Sequence, residues 1–476
     1  MGIHGHTCPY IDVYRRTSIK KEALDHELYP SYRPISNLRF VSKAIEKVVA
    51  ARLNEHLNNG DLMEPFQSAY RAGHSTETAL TRVHNDVLRA IDDGQCVILI
   101  LLDLSAAFDT VDHSILLNRL DHCFGIRGKA LTWFQSYLLN RSQFVYVENE
   151  RSSSRCLKYG VPQGSVLGPM LYSIYTAPLA NVIKQHNMSY HFYADDTQIY
   201  LSFCQSAAGE PEHSTSRVEL CIKDVEQWMM INKLKLNGDK TELLVLNARH
   251  RPTPTLNSIY AGSDYITAST SARNIGVWFD NLVSMDKQIA SICKSAFYHL
   301  NNIAKIRKFI SFKHCETLIH AFITSKLDYC NSVLSGLSKN QTQRLQFVQN
   351  SAARLLMGTN KYDNITPILR QLHWLPVTER IDYKILLLTF KSLHGMAPEY
   401  LSELLSVYKP GRSLLSSGKS LLVTPKYNLK SYGQRAFSCA APALWNSLPD
   451  DIRSCNSLTV FKSKLKTFLF KRYFIS

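Results

Sequence analysis

The chain has 476 residues, enough for about three domains of ordinary size. Hydrophobic residues make up 45% and charged residues 20%, which excludes wholesale disorder and allows a large buried core. A formal net charge of +16 asks for a polyanionic partner, either nucleic acid or an anionic membrane.

Residues 1–30 carry no periodic signal. A helix is predicted over 37–57, where Val41, Ile45, Val48, Val49 and Leu53 recur at three- and four-residue steps before Gly60. A second helix follows from Leu80, Val83, Val87, Leu88 and Ile91, with Ser75 or Thr76 as its cap and Gly94 beyond its end. The apolar run 96–102 is too short for a helix between Gly94 and Asp103, and reads as a strand buried on both faces. Asp112 is expected to cap a helix through Leu116 and Leu120. Segments 143–147 and 156–159 suit a hairpin around a Ser-rich loop. A helix is predicted over 166–182, and 191–201 reads as two strands flanking a tight turn at Asp195 and Asp196. Val218, Ile222, Val225, Trp228 and Met229 make a further helix, and strands are expected at 242–246 and 274–279. From about residue 284 the pattern turns helical, beginning with Ile289, Ile292, Leu300, Ile303 and Ile306. The Ser/Gly/Lys stretch 409–420 is the best linker candidate.

The charge is unevenly spread. Residues 1–280 hold 28 Lys+Arg against 29 Asp+Glu, a balance of −1, whereas 281–476 hold 27 against 10, a balance of +17. A near-neutral body followed by a basic clamp or arm is one reading, and a generally basic soluble surface is the other. The eleven cysteines form no CxxC pair and no zinc pattern, as expected of reduced cysteines in an intracellular protein. Met1–Lys20 lacks the apolar stretch of a secretory signal, and the longest apolar runs are far too short to span a membrane.

Three carboxylates stand out. Asp103 ends an apolar strand, where an isolated charge is costly to bury, so it should face a site or a partner. The adjacent Asp195 and Asp196 repel each other, and one pKa should rise unless a cation holds them. Hard oxygen ligands without His or Cys suit Mg²⁺ or Mn²⁺, and three carboxylates from two strand ends suit a pair of ions. Taken alone, an Asp-Asp pair in a turn is more often a turn or cap residue, by roughly ten to one.

The motif is not alone. Asp103-Leu-Ser-Ala-Ala-Phe108-Asp109, Gly160-Val-Pro-Gln163-Gly164-Ser165-Val-Leu-Gly168-Pro169 and Phe192-Tyr-Ala-Asp195-Asp196 together resemble the palm motifs of reverse transcriptases. Tyr32-Arg33-Pro34-Ile35-Ser36 and Phe66-Gln67-Ser68-Ala69-Tyr70-Arg71-Ala72-Gly73-His74-Ser75-Thr76 look like the finger blocks. Asn237-Gly-Asp-Lys240-Thr241-Glu242 and Asn274-Ile275-Gly276-Val277 look like the late palm blocks. The wording resembles LINE-type (non-LTR) retrotransposons of the broad Jockey and chicken-repeat group, from about Lys20 to the C-terminus.

The resemblance implies an α+β right-hand polymerase with fingers, palm and thumb, and a basic helical extension. The division it suggests is an N-terminal segment 1–30, fingers and palm 31–280, a thumb 281–360 and a mostly helical extension 361–476. It implies RNA-directed DNA synthesis from dNTPs on a primer 3′-hydroxyl, with two Mg²⁺ ions, or Mn²⁺, held by Asp103, Asp195 and Asp196. Phe108 falls at the steric-gate position, where a ring fills the space of a ribose 2′-hydroxyl. Gln163 would hydrogen-bond the incoming nucleotide, and Gly160 and Gly164 would let the backbone approach the template. Arg71 matches a finger arginine that pairs with the triphosphate. Lys240 is a candidate general acid for pyrophosphate, or a surface ion pair. Tyr193 either packs near the primer end or fills the hairpin face, and Arg33 either contacts template or triphosphate or makes a structural ion pair.

A polymerase holds its duplex by the phosphates, which gives the basic region a physical task. Lys294, Lys305, Arg307, Lys308 and Lys313 cluster where a thumb should lie. Lys462, Lys464, Lys466, Lys471 and Arg472 accompany an amphipathic stretch with Val460, Phe461, Leu465, Phe468 and Leu469, as a grip or as a solvated face. The expected partners are an RNA template, a DNA primer or target and dNTPs, with no membrane, in an intracellular ribonucleoprotein of the nucleus or cytoplasm. Elements of this group carry an upstream endonuclease, for which the sequence before the finger blocks leaves no room. A nick from another source is therefore expected. Leu372-His-Trp-Leu-Pro376 and Trp445-Asn-Ser-Leu-Pro449 resemble blocks of these elements without an evident mechanism. The rival readings are an RNA-dependent RNA polymerase, which Ala194 and Phe108 argue against, and a nucleic-acid-binding relic or co-opted host protein without catalysis.

Overall fold

The computed structural model describes residues 13–20, 32–105, 108–147, 150–207, 209–252, 256, 258–261, 264–409 and 420–475. The predicted linker 409–420 lies almost wholly outside them.

Strands β1 (Val13–Lys20) and β2 (Tyr32–Asn37) precede helices α1 (Phe40–Asn59) and α2 (Thr76–Asp92). Then come β3 (Cys96–Leu102), the short β4 (Leu104–Ser105), α3 (His113–His122) and α4 (Gly128–Leu138). Strands β5 (Arg141–Val147), β6 (Glu150–Arg151) and β7 (Arg155–Leu157) lead into α5 (Gly168–Thr176) and α6 (Leu179–Gln185). The hairpin β8 (Ser189–Tyr193) and β9 (Asp196–Phe203) is followed by α7 (Glu210–Ile231), β10 (Lys235–Leu236) and β11 (Glu242–Leu246). Two further hairpins, β12 (Ser258–Ala261) with β13 (Asp264–Thr267) and β14 (Ser271–Asn274) with β15 (Val277–Asp280), close the mixed part. The rest is helical: α8 (Asp286–Ile306), α9 (Phe312–Ile319), α10 (Ser325–Asp328), α11 (Lys339–Met357), α12 (Ile365–Gln371), α13 (Val377–Leu393), α14 (Glu399–Ser402), α15 (Phe437–Asn446), α16 (Asp450–Arg453) and α17 (Leu458–Phe474).

The central sheet is antiparallel, in the order β11-β3-β9-β8. Strand β3 sits inside it, and its alternating side chains feed two cores. Val97 and Leu99 pack with α2 and the downstream helices, while Cys96, Ile98, Ile100 and Leu102 pack with α1, α3 and α5 to α7. A strand covered on both faces must be apolar throughout, which is why it reads as a continuous hydrophobic run. A second sheet, β2-β1-β5-β6 with β7 on β5, joins β1 and β5 in parallel and the other neighbours antiparallel. This α+β arrangement is that of a right-hand polymerase.

Helix caps follow the local sequence. Ser75 and Thr78 form a reciprocal capping box on α2, and the Asp112 carboxylate accepts from the backbone N–H of Ser114 and Ile115 at the start of α3. Three expectations need correction. The helix predicted over 166–182 is two helices, because Pro178 lacks the N–H that a continuous helix needs there. The strand predicted over 274–279 is a hairpin turning at Ile275 (φ 42°) and Gly276 (φ 84°), a pair of left-handed residues that reverses the chain. On α1 the buried stripe overlaps the predicted one only in part, at Leu53. Val41 and Val48 are exposed, and the buried side chains are Ser42, Glu46, Ala50, Leu53 and Leu57.

Glu46 explains that rotation. Its carboxylate, fully buried, accepts from the N–H groups of Val166 (2.6 Å) and Leu167 (3.1 Å) at the start of α5, and from the Ser42 hydroxyl (3.2 Å). An anion at a helix N-terminus meets unpaired amides and the positive end of the dipole. Burial nonetheless raises its pKa above the ordinary glutamate value, against these hydrogen bonds.

One apolar core runs without a break from Ala79 in α2, through the sheet and β14–β15, to Ala441 in α15. Polar contacts reinforce it. The buried Asp92 carboxylate accepts from the N–H groups of Asn428 (3.0 Å) and Leu429 (2.6 Å), and Asn85 accepts from that of Ser438 (2.9 Å). The two unexplained C-terminal blocks have structural tasks. Leu375 offers its carbonyl to Gln349 (2.9 Å) at the corner before α13. Asn446 both accepts from and donates to the Leu422 backbone (2.9 and 2.8 Å), beside the Trp445 indole, which donates to the Ser420 carbonyl (2.8 Å). Among the described residues no helix is long and apolar enough to cross a membrane.

Candidate active site

Antiparallel register brings the acidic residues together. Leu102 pairs with Thr197, so Asp103, one residue past the end of β3, lies at the same sheet end as Asp196, the first residue of β9. The β8–β9 hairpin turns through Ala194 and Asp195, with Tyr193 paired to Asp196. Ala194 has φ 59°, the left-handed conformation that residues with a Cβ adopt rarely.

Asp103 and Asp196 face one open cavity of about 390 Å³, together with Asp239, Lys240, Glu242 and Arg273. Lys240 Nζ lies 3.0 Å from Asp103 Oδ2, and Asn237 donates to the same oxygen from 3.4 Å. The Asn237 backbone N–H also bonds the Asp103 carbonyl at 2.9 Å. Both readings of Lys240 therefore meet in one contact, an ion pair whose partner is itself a candidate site residue. The Asp196 side chain reaches solvent at the cavity mouth, yet the protein walls around it strip away hydration. This burial, then the charges of Asp195 and Asp103, pushes its pKa up to about 6, with Lys240 opposing. The Asp196 pKa stays raised although Lys240 opposes the rise, and a hard cation would relieve this concentration of negative charge. The all-oxygen donor set fits Mg²⁺ or Mn²⁺. Among the described residues no three His, Cys, Asp or Glu side chains converge into a preformed cage. Mg²⁺ binding through one or two carboxylates plus substrate phosphates does not require one.

Phe108 is half-buried and stacks on Tyr172, with ring centroids 4.9 Å apart. Tyr172 is buried, and burial followed by the charge of Asp195 holds its phenol well above its usual pKa, which puts this ring pair beside the aspartates. The Phe108 carbonyl accepts from Val161 N–H (2.8 Å), tying it to the Gly160–Gly168 loop. Gly160 (φ 89°) and Gly164 (φ 106°) both need the freedom of glycine. Their close approaches are intramolecular: a Cβ on Gly160 would lie 2.9 Å from the Asp109 carbonyl oxygen, and one on Gly164 3.0 Å from that of Ser36. Gln163 accepts at its backbone carbonyl from Ser36 N–H (2.8 Å), while its buried side-chain Oε1 has no hydrogen-bond partner.

Arg71 is not drawn into the cavity. Its guanidinium donates to the carbonyls of Glu64 (2.8 Å) and Gln67 (3.3 Å), and burial lowers its pKa. The neighbouring Tyr70 went unremarked in the sequence. It has φ 61°, it is half exposed, and burial and then the charge of Asp195 raise its phenol pKa. Arg273, which lines the cavity, was also missed. No signal in the sequence singles it out, since it arrives from β14.

In the basic region Lys294, Lys305, Lys308 and Lys313 are exposed. Arg307 is used differently: its guanidinium donates to the carbonyls of Leu355 (3.3 Å), Leu356 (3.0 Å) and Ile310 (3.2 Å), closing the C-terminal end of α11. In α17, Arg472 pairs with Glu379 and Asp382, and Lys464 with Asp451. The side chain of Arg33 lies outside the described residues.

Residues 19–279 match the family model described as reverse transcriptase (RNA-dependent DNA polymerase). A probable RNA-directed DNA polymerase from transposon BS of Drosophila melanogaster is 27% identical over 375 residues, covering 76% of this chain and 40% of that one. The RNA-directed DNA polymerase from mobile element jockey of the same organism is 25% identical over 353 residues, covering 72% and 37%. The chain thus spans about two-fifths of the length of these relatives. Among solved structures, apo telomerase from Candida tropicalis matches at 13% identity and a TM-score of 0.45, covering 84% of this chain and 70% of that one. The family match takes in more than half of the chain and every palm motif, and the chain belongs to the reverse transcriptase (RNA-dependent DNA polymerase) family.

Proposed function

We propose that the chain is the RNA-directed DNA polymerase of a non-LTR retrotransposon, adding dNTPs to a primer 3′-hydroxyl on an RNA template. One observation carries this: the register that sets Asp103 and the Asp195–Asp196 turn at the same end of one sheet, where burial, and then the charges of Asp195 and Asp103, push the Asp196 pKa to about 6. Such a cluster is costly unless it binds cations in its working state.

Asp103, Asp195 and Asp196 would hold two Mg²⁺ ions, with Mn²⁺ as a substitute. When bound, these ions would lower the pKa of the primer hydroxyl and neutralise the leaving pyrophosphate oxygen. The chain's own side chains do the rest. Phe108, braced on Tyr172, would exclude a 2′-hydroxyl and so select deoxynucleotides. Gln163, whose side-chain Oε1 has no hydrogen-bond partner, would hydrogen-bond the incoming nucleotide. Lys240, exposed and resting on Asp103, is within reach to protonate pyrophosphate as it departs. Arg71 lies outside the cavity on two carbonyls, and would have to shift toward it to pair the remainder of its fork with a triphosphate. The helical region 281–360 is the thumb in this reading, and Lys294, Lys305, Lys308 and Lys313 would contact duplex phosphates. Arg307 supports that region through α11 instead.

The test is extension of a DNA primer on an RNA template by the purified chain. Incorporation of dNTPs that stops when EDTA removes Mg²⁺ supports the reading. Tight template binding without any extension would replace it with a non-catalytic nucleic-acid binder.

A further inference from the structure

The segment Phe66–Ser68 does not end at the finger blocks. It runs beside β8 as a short added strand: Phe192 N–H bonds the Phe66 carbonyl (2.9 Å), and Ser68 N–H bonds the Phe192 carbonyl (3.0 Å). This places Gln67 directly under the acidic turn. Gln67 is 3% exposed, and its side-chain Oε1 accepts from the backbone N–H of Ala194 (3.1 Å) and of Ala69 (3.0 Å). Ala194 is the residue whose left-handed backbone aims Asp195 and Asp196, and no strand ladder pairs its amide. A rare conformation persists where its surroundings over-determine it, and Gln67 supplies that constraint.

A second layer holds this strand in turn. Ser68 Oγ lies 2.7 Å from His191 Nε2 and 2.8 Å from the hydroxyl of Tyr400, which donates to Thr78 Oγ1 at 2.9 Å. The Tyr400 ring meets His191 edge-on at 4.9 Å and stacks on Phe66 at 6.0 Å. Tyr400 belongs to α14, 332 residues downstream of Ser68. A buried polar network of this kind would satisfy its own hydrogen bonds in any core. What sets this one apart is that its Ser68 follows Gln67, whose side chain holds the backbone of the acidic turn.

We propose that Gln67 is a positioning residue for catalysis, fixing Ala194 and thereby the direction of the Asp195–Asp196 pair, and that Tyr400 locks its strand from the C-terminal region. This rests on the polymerase reading above. A misplacement of about 1 Å at reacting groups can cost on the order of a hundredfold in rate. Removing the Gln67 acceptor should therefore act on turnover and not on affinity.

The experiment compares Gln67→Met, which keeps length but loses the acceptor, and Tyr400→Phe, which keeps the ring but loses the hydroxyl, with the full wild-type chain. Gln67→Met should lower kcat for primer extension by about ten- to a hundredfold while KM for dNTP stays within about twofold. Tyr400→Phe should lower kcat less, again with KM unchanged. Amide hydrogen exchange supplies a readout independent of activity: the Ala194 amide should exchange at least about tenfold faster in Gln67→Met. Wild-type kcat in a folded Gln67→Met chain, or unchanged Ala194 exchange, overturns the proposal. If Gln67→Met fails to fold, Tyr400→Phe decides, and wild-type kcat and wild-type Ala194 exchange in that variant overturn it. A wild-type chain that does not extend primers overturns the polymerase reading instead, and the exchange measurement then decides the brace alone.

Discussion

At the scale of single residues, side chains at the acidic centre hold one another in place, so each can be tested by a small change. Phe108 rests on Tyr172, and its carbonyl is pinned by Val161, so Phe108→Ala removes the ring without moving the backbone. The ratio of ribonucleotide to deoxynucleotide incorporation should rise by about tenfold or more, measured on one primer–template. An unchanged ratio would remove Phe108 from the selection step. The acidic residues were legible as a candidate site from their strand-end positions, and Phe108 as a candidate gate only through the family resemblance of its block. Tyr70, Gln67 and Arg273 were not. Their roles depend on a left-handed turn, a buried amide contact and a neighbouring hairpin, and none of these leaves a local periodic trace.

At the scale of elements, a strand buried on both faces and a capped amphipathic helix announce themselves. β3, the β8–β9 hairpin, β11 and α2 lie where apolar runs, turn residues and caps put them. Pro178 was equally readable, and its break in the helix follows from a missing donor. α1 misled for a physical reason: glutamate on a helix looks like a solvent face, and here it is buried to cap another helix. Glu46→Ala leaves two amides at the start of α5 without an acceptor and should cost about 2 kcal/mol or more, seen as a lower denaturation midpoint. Glu46→Gln keeps a carbonyl acceptor and should lose less. Equal stability of the wild type and Glu46→Ala would show that the cap contributes nothing. Because α5 follows the Gly160–Gly168 loop, the same variant should also weaken extension.

For the whole molecule, the uneven charge and the continuous core say different things. The surplus of +17 lies beyond residue 280, yet the core that begins in α2 continues through those same residues to α15. Composition shows the first and is blind to the second, because Asp92 with Leu429, or Ser68 with Tyr400, are contacts across more than 300 residues. Deleting the basic part would therefore expose the core as well as remove charge. Changing Lys294, Lys305, Lys308 and Lys313 together to Gln in the full chain separates the two. If each touches a duplex phosphate, the slope of log affinity against log salt should become shallower by about 3 to 4. An identical slope would move the duplex to another face.

Metal-dependent DNA synthesis by three aspartates on one sheet end is tested most directly by a single substitution. Wild type and Asp195→Asn are assayed side by side for extension of a DNA primer on an RNA template with dNTPs and Mg²⁺. The account predicts extension by the wild type and a loss of about a thousandfold or more in Asp195→Asn, with template binding retained. Extension by Asp195→Asn at the wild-type rate would contradict it.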